Sequence, residues 1–304
     1  MISDLSARDN DASVTFYVAL WKRKGITQDE FDNYWRDVHG PVCARLPGQF
    51  QYWQFHVGHD GGGIFPAIPG VIYNQTPEAS QFDGIAELTF KTVEDRDIWF
   101  NAAGILMDDE HNIFSKAIGY VTSIGNSITY RDHIDNGAPN GNLNIIKYHV
   151  QLKKADGVDV NSFRKYLTEI FAANVIKSDK LCKFRLHMFE TPDLSRPDAA
   201  GVAHSEPQEL LTQAAFEIAF RDGVDRENFF ASKEYALATA EQAKFVKQVS
   251  AFPETNAYTF VYEGQMTLSG RRGSSTAELI TNLGAINQVR SDISELLGIK
   301  EPNK

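Results

Sequence analysis

The chain has 304 residues, 42% hydrophobic and 23% charged, with a formal net charge of −10. That length can bury about two domains' worth of core without disulfides or structural metals, and an acidic balance with no Lys/Arg cluster excludes the footprint of a nucleic-acid-binding surface. No run approaches the ~20 apolar residues of a membrane span, MISDLSARDNDAS at the N-terminus has no apolar signal core, and the two cysteines, Cys43 and Cys182, lie outside metal-type spacing, so a cytoplasmic protein is expected.

Taken in chain order, SVTFYVALWKR alternates and is rich in β-formers, which predicts a strand. TQDEFDNYWRDVH opens with Thr27 and Glu30 at capping-box spacing, and Phe31, Tyr34, Trp35 and Val38 follow a helical stripe. The helix is expected to stop at Gly40-Pro41. YWQFHVGH reads as a second strand, residues 60–80 as a Gly- and Pro-dense loop, and DGIAELTFKT as a third strand. Residues 93–117 read as helix with a break near Gly104, and GYVTSIGNSITY as a fourth strand. A polar link at 131–142 follows, then the same order of elements from about 142 to 265, and a last segment, 274–298, expected to form an extra helix.

The two halves resemble one another. FYVALWK (16–22) matches YHVQLKK (148–154) and FDNYW (31–35) matches FRKYL (163–167), both at an offset of 132. WQFHV (53–57) matches CKFRL (182–186) at an offset of 129, and AELTFKTVEDRDIWF (86–100) matches FEIAFRDGVDRENFF (216–230) at an offset of 130. Four blocks in one order point to a duplication. Each half reads βαββαβ, the ferredoxin-like plan, with helices on one sheet face. The expected fold is α+β, with two such repeats (1–135 and 142–268) whose sheets face each other, plus the C-terminal helix 274–298.

Strand periodicity assigns the faces. Val14, Phe16, Val18 and Leu20 form one row, expected under the helices with Trp53, Phe55 and Val57, and with Ala86, Leu88 and Phe90. The opposite rows hold Tyr17 and Trp21, then Tyr52, Gln54 and His56, then Glu87. In the second half they hold Lys147 and His149, then Lys183, Arg185 and His187, then Glu217. These mixed rows face either solvent or a cavity between the sheets. The aromatic residues of the first half favour an enclosed small-molecule site there. Glu87 and Glu217 occupy matched positions, which suggests pairing with a basic residue of the facing sheet, or a partnership of Glu87 with His39 or His56.

His39 follows Trp35 by one helical turn, on the packed stripe, and its counterpart at the repeat offset of 132 is Phe171. A capping or core histidine is one reading. An imidazole placed where the other half has a phenyl ring is the other, and it points to acid–base work. The pair His56 and His59 points to opposite strand faces and makes no shared metal site. GGG at 61–63 lacks the Lys-Ser/Thr of a phosphate loop and suits an entrance or lid. Asp108, Asp109 and Glu110 read as a solvated helix face, and SGRRGSS (269–275) as a basic solvated turn.

YWRDVHGPVCARLPG (34–48) resembles the signature of the EthD family, a Tyr-Trp–x–x–x–His–x–Pro core followed by a run to Leu-Pro. The likeness is specific over 27–48 and extends to about 130. It implies a dimeric α/β-barrel fold and chemistry with no metal and no organic cofactor. The second half departs from the signature at Phe171 and lacks the tail, which places the expected site in the first half. Fused barrels that bind haem would need a proximal histidine in the second half, where His149 and His187 are the strand candidates.

These readings lead to the expectation of a cofactor-free lyase, dehydratase or cyclase acting on a small apolar or aromatic carbonyl compound. His39, His56 and Glu87 would supply acid–base catalysis, and Tyr17, Trp21, Trp35, Tyr52 and Gln54 would hold the substrate. The alternatives are cofactor-independent oxygenation, or a protein that binds a small molecule without turnover. A monomer and a homodimer formed through the last helix are both open.

Overall fold

In the computed structural model the described residues are 4–12, 14–59, 64–73, 80–134, 137–192 and 198–300. The GGG at 61–63 lies outside them. The first set of strands is β1 (Val14–Lys22), β2 (Gln51–Val57), β3 (Gly84–Phe90) and β4 (Phe114–Val121). After β5 (Ser127–Asp132) comes the second set, β6 (Ile146–Lys154), β7 (Leu181–Met188), β8 (Ala214–Phe220) and the long β9 (Val246–Tyr262). The order across the sheet is β4-β1-β3-β2-β9-β6-β8-β7-β5, with antiparallel pairing throughout this path. Each set therefore has the order fourth-first-third-second, the ferredoxin-like arrangement. The fourth strands cross over: β9 pairs with β6 up to Pro253 and with β2 from Glu254, while β5, just after β4, pairs with β7.

The first helix, α1 (Gln28–Tyr34), starts as its sequence dictates. Thr27 Oγ1 accepts from Glu30 N at 3.2 Å and Glu30 Oε2 accepts from Thr27 N at 2.7 Å. It does not stop at Gly40-Pro41. It passes into a π-helical turn, Trp35–His39, and then a last turn, Gly40–Cys43. The wider turn ahead of Pro41 makes room for a ring that would clash with a carbonyl four residues back in an unbroken α-helix. Gly40 is there for approach, since a Cβ on it would meet the Phe260 ring at 2.5 Å. The second set has the same feature: α4 (Val160–Lys165) runs into a π turn at Tyr166–Ala172. Between the strands lie α2 (Val93–Ala102) and α3 (Gly104–Glu110), with the expected break between them, and in the second set α5 (Gly223–Phe230) and α6 (Lys233–Thr239).

The expected single helix 274–298 is instead divided. α7 (Leu268–Arg272) and α8 (Ser274–Asn282) are followed by a 3-10 turn, Ile286–Val289, and α9 (Ser291–Leu296). Gly284, with φ +62°, turns the chain after α8. The basic SGRRGSS is not a free turn, because Thr267 caps α7 by accepting from Gly270 N at 3.1 Å.

Two rows of the first sheet face as expected: Val14, Phe16 and Leu20 of β1, and Leu88 and Phe90 of β3, pack under α1–α3 with Phe31 and Trp35. The rows of β2 are reversed. Tyr52 pairs with Leu88 and Gln54 with Ala86, so Tyr52, Gln54 and His56 lie on the helix side. Trp53, Phe55 and Val57 join Tyr17, Ile85 and Phe252 between the sheets. Every residue of β2 is buried, so its alternation carries no sign. Cross-strand register corrects the repeat alignment: Trp53 opposes Glu87 as Arg185 opposes Glu217, which sets the offset of these counterparts at 132, not 129. A slip by an odd number of residues, here three, exchanges the two faces.

The space between the sheets is filled, which overturns the expectation of a substrate cavity there. Arg185 donates from Nε and Nη2 to Glu87 Oε1 at 3.1 and 2.9 Å, and from Nη1 to Asp9 at 2.7 Å. Lys147 bridges Glu217 and Glu254, each at 2.7 Å, and His149 meets Glu254 at 2.7 Å. Burial pushes the Glu87 and Glu217 carboxyls up, but Arg185 on Glu87, and Lys147 and Lys183 on Glu217, outweigh it and hold both below the usual range. The voids found among these groups hold about 20 and about 10 Å³. A porphyrin does not fit here, and both strand histidines are engaged, His149 by Glu254 and His187 Nδ1 by Ser127 Oγ at 2.8 Å.

Candidate active site

A cavity of about 440 Å³ opens on the other face of the first sheet, between it and the helices. Its walls include Phe16, Leu88, Trp99, Leu106 and Phe114, and it is lined also by His39, Trp35, Tyr52 and Cys43. The corresponding space in the second half is occupied. Phe171 stands in place of His39 and packs on Phe184 and Phe216. Phe65, from the loop after β2, packs edge-on against Tyr148, Phe216 and Phe230.

His39 is buried, and its Nδ1 lies 2.8 Å from Asp109 Oδ2. Asp109, near the end of α3, also accepts from Tyr34 Oη at 2.6 Å and from Asn112 Nδ2 at 3.0 Å, both on Oδ1. The hydrogen bond with His39, aided by those from Tyr34 and Asn112, holds the Asp109 carboxyl well below the usual range against the opposing effect of burial. An ionised carboxylate only accepts, so Nδ1 carries a proton, and in the neutral imidazole Nε2 keeps its lone pair. Among the described residues Nε2 takes no hydrogen bond. The π turn sets this geometry: His39 is buried behind Trp35, while Val38 is exposed.

The expected site residues divide into three groups. His39, Trp35 and Tyr52 line the cavity. Gln54 and His56 stand behind them: Gln54 Nε2 donates to Trp35 O at 3.0 Å and to Tyr52 Oη at 2.8 Å, and the His56 ring stacks on Trp35 at 4.5 Å. His56 Nδ1 meets Asp32 at 2.8 Å, and burial pushes its pKa down despite that carboxylate. Tyr17, Trp21 and Glu87 lie on the opposite face, with Tyr17 and Glu87 buried between the sheets and Trp21 under Lys116. Glu87 therefore meets neither His39 nor His56. The Cys43 thiol is pushed up by burial, which keeps it neutral and unreactive.

Of the run read as a solvated face, Asp108 is exposed, but Asp109 and Glu110 are not free. Asp109 holds His39, and Glu110 Oε2 takes His204 Nε2 at 2.7 Å. His204 and Pro192 come from the second half and complete the cavity wall. The segment reaching this wall adds to the edge strand β4, with Ala117 N donating to Ala203 O at 2.9 Å. Only the lean of α3 over His39 turns the adjacent carboxylates Asp109 and Glu110 into a signal.

No curated protein matches the chain. Among solved structures, an anthrone oxidase-like protein aligns with a TM-score of 0.52 at 9% identity, covering 84% of this chain and 95% of that one. A candidate monooxygenase of Lactobacillus acidophilus aligns at 0.44 and 11%, covering 81% and 94%, and a dye-decolorizing peroxidase of Bacteroides thetaiotaomicron at 0.45 and 10%, covering 81% and 93%. The family model described as the EthD domain matches residues 23–117. That match runs from the end of β1 through α1 and the π turn, and on to Asp109 and β4.

Proposed function

We propose that the protein is a cofactor-free acid–base enzyme whose base is His39 and whose substrate is a small, largely apolar or aromatic carbonyl compound held in the 440 Å³ cavity. The observation that carries this reading is the unpartnered Nε2 of His39, with Nδ1 fixed on Asp109 at 2.8 Å, at the edge of an apolar space. Nε2 removes a proton from carbon next to the carbonyl, and Asp109 stabilises the imidazolium that forms. Return of that proton to a departing hydroxyl completes a dehydration. Trp35 and Tyr52 are the contact residues, and Gln54 and His56 position them. Tyr17, Trp21 and Glu87 belong to the framework. In this reading the two strand sets are fused ferredoxin-like units closed into one barrel, with the ion pairs inside it and the site outside its wall.

Oxygenation is the second reading, favoured by the likeness of fold to the anthrone oxidase-like protein. The same deprotonation yields a carbanion that reacts with dioxygen. One experiment separates the readings: anthrone, an aromatic ketone with acidic C–H bonds, is incubated with the protein in D2O and, separately, in an oxygen-electrode cell. Enzyme-accelerated deuterium exchange that falls about 10²–10⁴-fold in His39→Ala supports the base. Oxygen uptake dependent on His39 selects the second reading. Probe binding unchanged by His39→Ala, with neither exchange nor uptake across aryl ketones, leaves a binding protein.

A further inference from the structure

The cavity carries a second polar feature that the base does not use. Arg96 and Trp99 lie three apart on α2, on one helix face, and both line the cavity. Trp99 is 5% exposed, yet its indole Nε1–H has no acceptor among the described residues, and neither has Arg96 Nε. Buried N–H groups in native proteins are nearly always paired, so two orphans on one wall demand an acceptor.

The second half shows what this wall looks like when it is satisfied. At the repeat offset of 130 the counterparts are Arg226 and Phe229. Arg226 Nη1 donates to Tyr148 Oη at 3.1 Å, and Phe229 has no donor. Tyr148 corresponds to Phe16 in the first half, at the offset of 132. The first half has thus lost the phenol that receives the arginine and gained an indole N–H. The nearby carboxylates do not compensate. Asp109 is held by His39 and Glu110 by His204. Asp97 takes Arg96 Nη2 at 3.2 Å, but its side chain is 58% exposed and screened by water.

We propose that the ligand of this cavity is an aromatic or apolar carboxylate, with its anionic oxygens received by Arg96 Nε and Trp99 Nε1 while its body extends toward His39. A guanidinium with a free Nε edge matches a carboxylate, and the charge it retains favours an anion over a neutral carbonyl. This inference rests on the reading of the cavity as the substrate site.

The test uses the full chain and two probes of one shape, 2-naphthoate and its methyl ester, titrated by calorimetry. Naphthoate is expected to bind at least about tenfold more tightly than the ester, the usual order for a charge-assisted bond. Arg96→Met is expected to bring naphthoate down to the ester's affinity and leave the ester unchanged. Arg96→Lys, which keeps the charge but loses Nε, is expected to retain a reduced preference. The Trp99 indole N–H resonance is expected to move with naphthoate and not with the ester. Equal binding of the two probes, or a preference that survives Arg96→Met, overturns the carboxylate anchor and leaves the cavity reading standing. Binding of neither probe overturns both.

Discussion

Asp109 Oδ2 lies 2.8 Å from His39 Nδ1, far along the chain from it, and Tyr34 Oη, one turn before His39, closes on the other carboxylate oxygen at 2.6 Å. The carboxylate is thus clamped between two side chains of one helix. It fixes the imidazole tautomer and the ring orientation together. That clamp needs the π turn, which brings Tyr34 and His39 to the same partner.

Asp109→Asn keeps the size of the clamp but removes its charge and lets the amide donate. The tautomer with Nε2–H is then stabilised, and the base faces the cavity with its proton on the wrong nitrogen. The expected outcome is a fall in kcat/KM of about 10²–10⁴-fold with probe affinity within a few-fold of wild type. Rates of deuterium exchange and calorimetric affinities, measured on the same preparation, check it.

Arg185 is buried between the sheets, with carboxylates on both sides. Arg185→Met leaves Glu87 and Asp9 as buried charges without their shared partner. A loss of about 3–5 kcal/mol is expected, the range for breaking one side of a buried pair. Adding Glu87→Gln is expected to restore part of it. Urea midpoints of the three variants give the comparison.

Acid acts on the same network. Glu87, Glu217, Glu254 and Asp9 are all held below the ordinary carboxylate range: burial raises each, and the facing cations lower it further than burial lifts it. Such groups contribute their full stability above the unfolded value near ~4 and lose it as pH falls through the lower folded values. Thermal midpoints are expected to be flat with respect to these carboxylates from pH 7 to about 5. Below pH ~4 they should fall steeply, and Glu217→Gln should show a shallower fall.

Gly84 faces the Trp35 ring so closely that a Cβ would sit 2.3 Å from it. Gly84→Ala forces the indole toward the cavity it lines, at a cost of about 1–3 kcal/mol. Lower probe affinity and a shift in tryptophan emission are the expected signs, with the His39–Asp109 contact preserved.

Much of this was legible in the sequence. The four-block repeat and the EthD-like signature led to His39, and the contrast between His39 and Phe171 marked the half that carries the cavity. The side of the sheet was not legible, because β2 is buried on both faces, so its apolar alternation put Trp53 and Phe55 where Tyr52 and Gln54 belong, and a repeat offset three residues short did not reveal it. Asp109 was hidden in an acidic run whose neighbours suggest solvent, and its partner lies on another element. Of the charged rows of the second half, Arg185 is the basic partner of Glu87 that its matched position suggested, while Lys147 and Lys183 answer Glu217. The extra strand residues of β4 were hidden by a helical reading that ran to 117, where Phe114–Ala117 in fact begin the strand.

His39, in its neutral form, presents a bare Nε2 to the cavity because Asp109 holds the proton on Nδ1. Long-range ¹H–¹⁵N correlation of the histidine rings, with His39 assigned by its absence in His39→Ala, reads this directly on the neutral imidazole. The expected result is the Nδ1–H tautomer for His39, with a downfield Nδ1 proton that disappears in Asp109→Asn. A neutral His39 in the Nε2–H form, or one averaging freely between tautomers, would contradict it and remove the base from the site.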